Sequence, residues 1–436
     1  MNMKQWLKRQ LVGWPGRAAL GIALGAAAFA TQAGGAPENN AEVVIEWNEI
    51  LERATPGGGL SPPREYATLH VAMFDAVNSI EGAYRPYRLK VRAGRDASSA
   101  VAAAQAARDV LSELFPASQQ IFDDALQART SAAGSKHSEQ AIHVGKKVAR
   151  AVLAWRRDDG WNTTLDPFVQ PQVPGLYQPT PPNFSAPTFR QMQVVEPFAL
   201  LTPTQFLPAP PATIISERYA KDYAEVKALG AANSIERTAE QTGLAKSFAS
   251  VTSRTTHWAI WNHVARDTVR RNNLSLVEAA RVFALLNVSI HDGVQTSHTS
   301  KFVYGAWRPI TAIQHGEEDL NPLTLGDPTW QPLLVTPPYP SHAGNMACVG
   351  ASAARILGLI YDSDEAQFTA SWVGRDGNPD VARQYTRFSQ LALDQANSRI
   401  YGGIHFRYES EVSQEACPKI AEYVFANFLR PDGKRH

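Results

Sequence analysis

Apolar residues recur at three- and four-residue steps along most of this chain, and strict alternation is scarce. That spacing predicts amphipathic helices over residues 43–54 and 64–80. Residues 98–115 are alanine-rich and stop at Pro116, which brings no amide proton to a helix. Helices over 118–133 and 138–157 follow, the second closing on a basic turn that suits the negative end of a helix dipole. Periodicity resumes over 213–228, 234–248 and 255–270. Residues 276–291 are apolar on nearly every side, which predicts a central buried helix. Helices over 350–361, 379–394 and 410–428 complete an all-α reading, with sites expected between facing helices.

One stretch breaks the pattern. Residues 166–211 hold twelve prolines, together with Gly175, Tyr177, Phe184 and Phe189. Proline at that density excludes long helices and central strands. The aromatic content argues for an ordered loop over the surface, with the site entrance as its expected destination, rather than for a disordered linker.

Composition narrows the function classes. In 436 residues, 42 lysines and arginines meet 41 acidic residues, a net charge of +1. Such a balance gives no footprint for nucleic acid. At the N-terminus Lys4, Lys8, Arg9 and Arg17 precede an apolar stretch and small residues such as Ala28-Phe29-Ala30. Residues 1–33 therefore read as a secretory signal peptide, and the mature protein as periplasmic or secreted. No later segment is long and apolar enough to span a bilayer. Cys348 and Cys417 are the two cysteines; in an exported protein they permit a disulfide, and two buried thiols are the alternative.

The candidate chemistry lies in the last third. Lys301 is separated by six residues from Arg308, which precedes Pro309; Ser398-Arg399 is followed by Gly402-Gly403 and His405. Guanidinium forks and a lysine point charge are the usual grip on a tetrahedral oxyanion. A histidine among them points to chemistry on the bound anion. Glycines here let the backbone approach an anion and offer amides. Glu409, one turn after His405, is placed to accept from the imidazole and fix its tautomer. Trp307 is a candidate pocket wall. His291-Asp292 and His298, on the helix before Lys301, are weaker candidates for the approach. His257 and His263 lack metal-ligand spacing.

The order Lys-x6-Arg-Pro, Pro-Ser, then Ser-Arg-x3-Gly-x-His resembles the vanadium-dependent haloperoxidases and the related type 2 phosphatidic acid phosphatases. Trp47-Asn48, Leu69 to Asn78 and the segment ending Leu114-Phe115-Pro116 resemble soluble bacterial members, so the likeness spans residues 42–431 as one domain containing the Pro-rich loop. The resemblance implies the helical bundle of that family, and homo-oligomers formed through helical surfaces. It implies vanadate as cofactor, with phosphate able to take the same site. His405 would be the metal ligand, and Lys301, Arg308 and Arg399 would neutralise the oxygens. Substrates would be hydrogen peroxide and a halide, with Lys301 polarising the peroxide.

The middle motif departs from the family's Pro-Ser-Gly-His. Here the chain reads Pro340-Ser341-His342-Ala343-Gly344-Asn345-Met346-Ala347. In one register Ser341 and His342 serve with the glycine deleted. In the other, Gly344, Asn345 and Met346 replace Ser, Gly and His, which keeps Ala347 and the small residues behind it in place. The registers differ by one helical turn, so His342 is within reach of the pocket in both. In both, Ser341 is a candidate helix cap, aiming free amides at the anion. Three functions stay open: a haloperoxidase; an acid phosphatase acting on a phosphate ester through a phosphohistidine at His405; and a non-catalytic oxyanion-binding relative.

Overall fold

In the computed structural model, residues 41–54, 62–94, 96–249, 256–372 and 381–433 are described. The signal-peptide reading lies outside them. Helices α1 (Glu42–Ala54), α2 (Pro63–Glu81), α3 (Ser99–Leu114), α4 (Gln119–Ala133) and α5 (Ser135–Arg156) form the first half. After the Pro-rich segment come α6 (Glu217–Leu229), α7 (Ala239–Ala249), α8 (His257–Arg271) and α9 (Leu276–Tyr304). The set closes with α10 (Pro309–Gln314), α11 (Asn345–Tyr361), α12 (Phe388–Tyr401) and α13 (Arg407–Asn427). One core runs through α1, α2, α3, α5, α8, α9 and α11 to α13. The alanines of α3 let α5 approach until a side chain at Gly145 would lie 2.6 Å from Ala102 O.

Two expectations need correcting. The helix expected over residues 379–394 does not hold in its described part, where residues 381–387 are a strand. A hairpin pairs β1 (Glu365–Trp372) with β2 (Val381–Arg387), and α12 starts only at Phe388. The signal was there in Phe368, Ala370 and Trp372, buried at every second position, as a half-covered strand requires. The helix predicted over 276–291 runs on to Tyr304, although Gln295 to Lys301 are polar. Part of this stretch, Gln295 and Thr299, binds the Pro-rich segment rather than water. Asp292 accepts from the amides of Phe198, Ala199 and Leu200, and Gln295 donates to Met192 O and Val195 O. That segment is ordered with a single short 3-10 turn, Arg190–Gln193, among its described residues. Carboxylate anchoring of three consecutive amides is a strong, charge-assisted clamp.

Several histidines are consumed by structure. Asn48 bonds His70 and Asn262, Arg266 bonds Asn48 and Glu52, and His263 meets Glu52 at 3.1 Å, tying α1, α2 and α8 together. His291 Nδ1 faces Asp292 at 3.1 Å.

Cys348 and Cys417 form a disulfide between α11 and α13. It closes a loop with a sequence separation of 69, so chain entropy alone assigns it about 4 kcal/mol. Cys348→Ser together with Cys417→Ser is expected to lower urea-unfolding stability by about that amount. Equal midpoints with and without the bond would contradict this.

Candidate active site

Lys301 sits in the last turn of α9, which ends where Gly305 turns left-handed at φ 58° and its amide bonds Lys301 O. Arg308 follows at the N-cap of α10, held extended by Pro309, as a residue before proline must be. The two cations therefore flank a turn rather than share a helical face. Arg399 lies in the last turn of α12 and His405 just past it. Glu409 is the third residue of α13; its Oε2 accepts from the Phe406 amide at 3.1 Å, the carboxylate half of a capping box.

The four groups converge. Lys301 and Arg308 are fully buried, and His405 and Arg399 nearly so. Arg308 Nη1 donates to Ile404 O at 2.8 Å and to His405 Nε2 at 3.2 Å, while its Nε donates to Tyr339 O. A guanidinium only donates, so Nε2 is an acceptor and the proton is on Nδ1, which donates to Glu409 Oε2 at 2.7 Å. The same Oε2 accepts from Ser341 Oγ at 2.8 Å. Lys301 Nζ donates to Ser341 O and Ala343 O, leaving one proton uncommitted. Tyr339, which sequence reading did not single out, lays its ring 5.3 Å from Lys301 Nζ and 4.9 Å from the Arg308 guanidinium.

The electrostatics are those of a buried cationic cluster with too few anions. Burial, then Arg308, Lys301 and Arg399, hold His405 well below the usual imidazole range, so it stays neutral, its Nε2 lone pair turned to Arg308. Burial and Arg308 also push the Lys301 ammonium well down, and burial takes Arg399 to about 10. Desolvation raises Glu409 to about 7 despite Lys301 and Arg308. Arg308 Nη2, Arg399 Nη1 and Glu409 Oε1 are buried without a partner. Three basic groups thus face one carboxyl, with donors left over. Buried donors of this kind call for an acceptor.

The middle motif resolves differently from either function assigned to it. His342 is buried, but its Nε2 donates to Ala209 O of the Pro-rich segment at 2.7 Å, and its ring packs against Tyr304 and Tyr408. Its Nδ1 has no partner, and burial lowers it to about 4. Ser341 caps nothing: α11 begins at Asn345 with Gly344 as its N-cap, and the Ser341 hydroxyl serves Glu409. Half-buried Asn345 opens that helix. Amides expected to meet an anion are already used, Gly344 N by Glu409 O and Gly403 N by Ile400 O. Gly403, at φ 76°, is instead required by packing, because a Cβ there would lie 2.4 Å from Gly230 O. Trp307 packs into a second small core with Tyr219, Tyr223 and Phe406.

A helical bundle with three basic side chains around a buried, carboxylate-oriented histidine defines this protein's class. Residues 281–431 match the model of the VCPO second helical-bundle domain. Vanadium chloroperoxidase of Curvularia inaequalis is 24% identical over 506 aligned positions, covering 89% of this chain and 82% of its own. The crystal structure of the first bacterial vanadium-dependent iodoperoxidase superposes with a TM-score of 0.76 at 22% identity, covering 91% of this chain and 98% of that one. A holo bacterial vanadium-dependent chloroperoxidase gives 0.69 at 15% identity, covering 88% and 96%. Residues 281–431 thus match a domain model of the vanadium haloperoxidases, and over most of its length the chain shares the fold of these solved structures.

Proposed function

We propose that this protein is an exported haloperoxidase that uses hydrogen peroxide to oxidise a halide at a bound vanadate. The observation that carries the reading is the unpaired Arg308 Nη2 and Arg399 Nη1 beside the His405 lone pair. The donor set suits a metal oxyanion. It does not suit a bare divalent cation, for which no cluster of three His, Cys, Asp or Glu exists among the described residues. Lys301, Arg308 and Arg399 would hold the oxygens, and His405 Nε2 would ligate the metal. Bound there, the ion supplies Lewis-acid activation of peroxide.

The chain's own residues supply orientation and charge. Glu409 fixes the His405 tautomer and increases its basicity as a ligand. An anion held by His405 Nε2 would compete with the Arg308–His405 contact and would offer Nη2 the acceptor it lacks. Preorganised cations then stabilise negative charge without reorganising at the moment of reaction. The disulfide supports an oxidising compartment. No helix of the described residues is long and apolar enough to cross a membrane.

The test is reconstitution with vanadate and an assay of peroxide- and halide-dependent halogenation of a dye. Activity that disappears in His405→Ala is expected. Hydrolysis of an aryl phosphate without peroxide, in place of halogenation, would transfer the same residues to the phosphatase reading. Binding of vanadate with neither activity would leave a non-catalytic oxyanion binder.

A further inference from the structure

His298 stands three residues before Lys301 on α9, so the two side chains leave the helix on one face. Its Nδ1 donates to Val294 O at 2.9 Å, which leaves Nε2 as a lone pair. Among the described residues nothing bonds that Nε2. The ring is 5% exposed and packs edge-on against Tyr339 and Phe189, each at 5.4 Å. Tyr339 is the aromatic ring that also faces Lys301 and Arg308. Phe189 belongs to the Pro-rich segment and is itself 45% exposed. His298 therefore lies between the solvent side of that segment and the cationic cluster.

The histidine expected for proton transfer has one nitrogen committed, while its Nδ1 is buried without a partner. His342 gives its Nε2 proton to Ala209 O. In the register that keeps Ala347 in place, Met346, buried in the first turn of α11, takes the family histidine's position. A thioether carries no proton.

We propose that His298 is the proton carrier of the reaction, working from the α9 side of the site in place of the missing α11 histidine. This rests on the haloperoxidase reading. Overall, halide, hydrogen peroxide and one proton give hypohalous acid and water; the halide loses two electrons and the peroxide O–O bond is reduced and broken. His298 Nε2 takes a proton from hydrogen peroxide as it enters and returns it to the oxygen that leaves as water. The remaining proton comes from solvent. The groups facing His298 are Lys301 of α9, Arg308 beyond the turn, and Tyr339 and Phe189 from the loops. Burial and the two cations hold the imidazole at about 3. An oxyanion on those cations cancels their effect and raises its proton affinity toward the range a general base needs.

The experiment uses full-length protein labelled with ¹⁵N-histidine, alongside His298→Gln. The resonance missing from the variant is expected to titrate at least about one pH unit higher once orthophosphate saturates the wild-type site. Vanadate-loaded His298→Gln should bind the ion as wild type does. Its kcat should fall on the order of 10²- to 10⁴-fold, with partial rescue by added imidazole. A His298 resonance that ignores phosphate, or undiminished halogenation by the variant, overturns the proposal alone. A wild-type protein that binds vanadate and never halogenates overturns the functional reading and this assignment with it.

Discussion

Arg308→Ala is expected to weaken vanadate or phosphate binding on the order of 10²- to 10³-fold, the effect of removing one partner from a buried charged contact, about 2–5 kcal/mol. The side chain is wholly buried and joins three elements, through Tyr339 O, Ile404 O and His405 Nε2. Truncation strips two carbonyls of their donor, each a further 1–3 kcal/mol or so against folding. It also lifts one of the cations that keep His405 neutral. Arg308→Lys separates charge from geometry. Lysine restores a point charge but not the fork that spans Tyr339 O and Ile404 O, so it should recover only part of the affinity. Calorimetric titration of both variants with orthophosphate checks this, and full recovery by lysine would show that charge alone suffices.

Glu409→Gln is expected to change how stability depends on pH. The wild-type carboxyl is raised to about 7 by desolvation, above its ordinary unfolded value of 4.5. Below the unfolded value it is protonated in both states and favours neither. Between 4.5 and 7 the folded protein holds a proton that the unfolded chain has released, so this group's contribution falls as pH rises. His405 acts in the opposite sense: held well below 6.5, it costs stability as pH falls through that value, because only the unfolded chain takes the proton. The pair opposes itself across one window, and wild-type stability there should be comparatively flat. Glutamine removes the carboxyl half and leaves the imidazole half, so the variant should lose stability more steeply toward acid. Chemical unfolding from pH 4 to 8 reads the difference; parallel curves would contradict it. Vanadate affinity should also drop on the order of 10- to 100-fold, since an amide orients His405 but does not increase its basicity.

Much of this site was legible because its residues are chemically distinctive and locally spaced. Lys301, Arg308, Arg399, His405 and Glu409 are all brought together as expected, and so is the mainly helical fold. What failed depended on partners far away in sequence. His342 turns toward Ala209, 133 positions earlier, a choice that no local spacing records. Gly403 owes its identity to the backbone of Gly230, and Asp292, Gln295 and Thr299 of α9 bind residues 192–200. The hairpin was missed for another reason. Pro379 made a plausible helix start, and the alternation in Phe368, Ala370 and Trp372 was too short to compete with the helical pattern around it.

The decisive measurement is an orthovanadate titration of the purified protein by calorimetry, with Arg399→Ala as its partner. Wild type should bind one vanadate per chain, in competition with phosphate, and the variant should bind far more weakly although Arg399 is distant in sequence from Lys301 and Arg308. Saturable binding that Arg399→Ala leaves untouched, or no binding at all, would mean these cations do not share one anion.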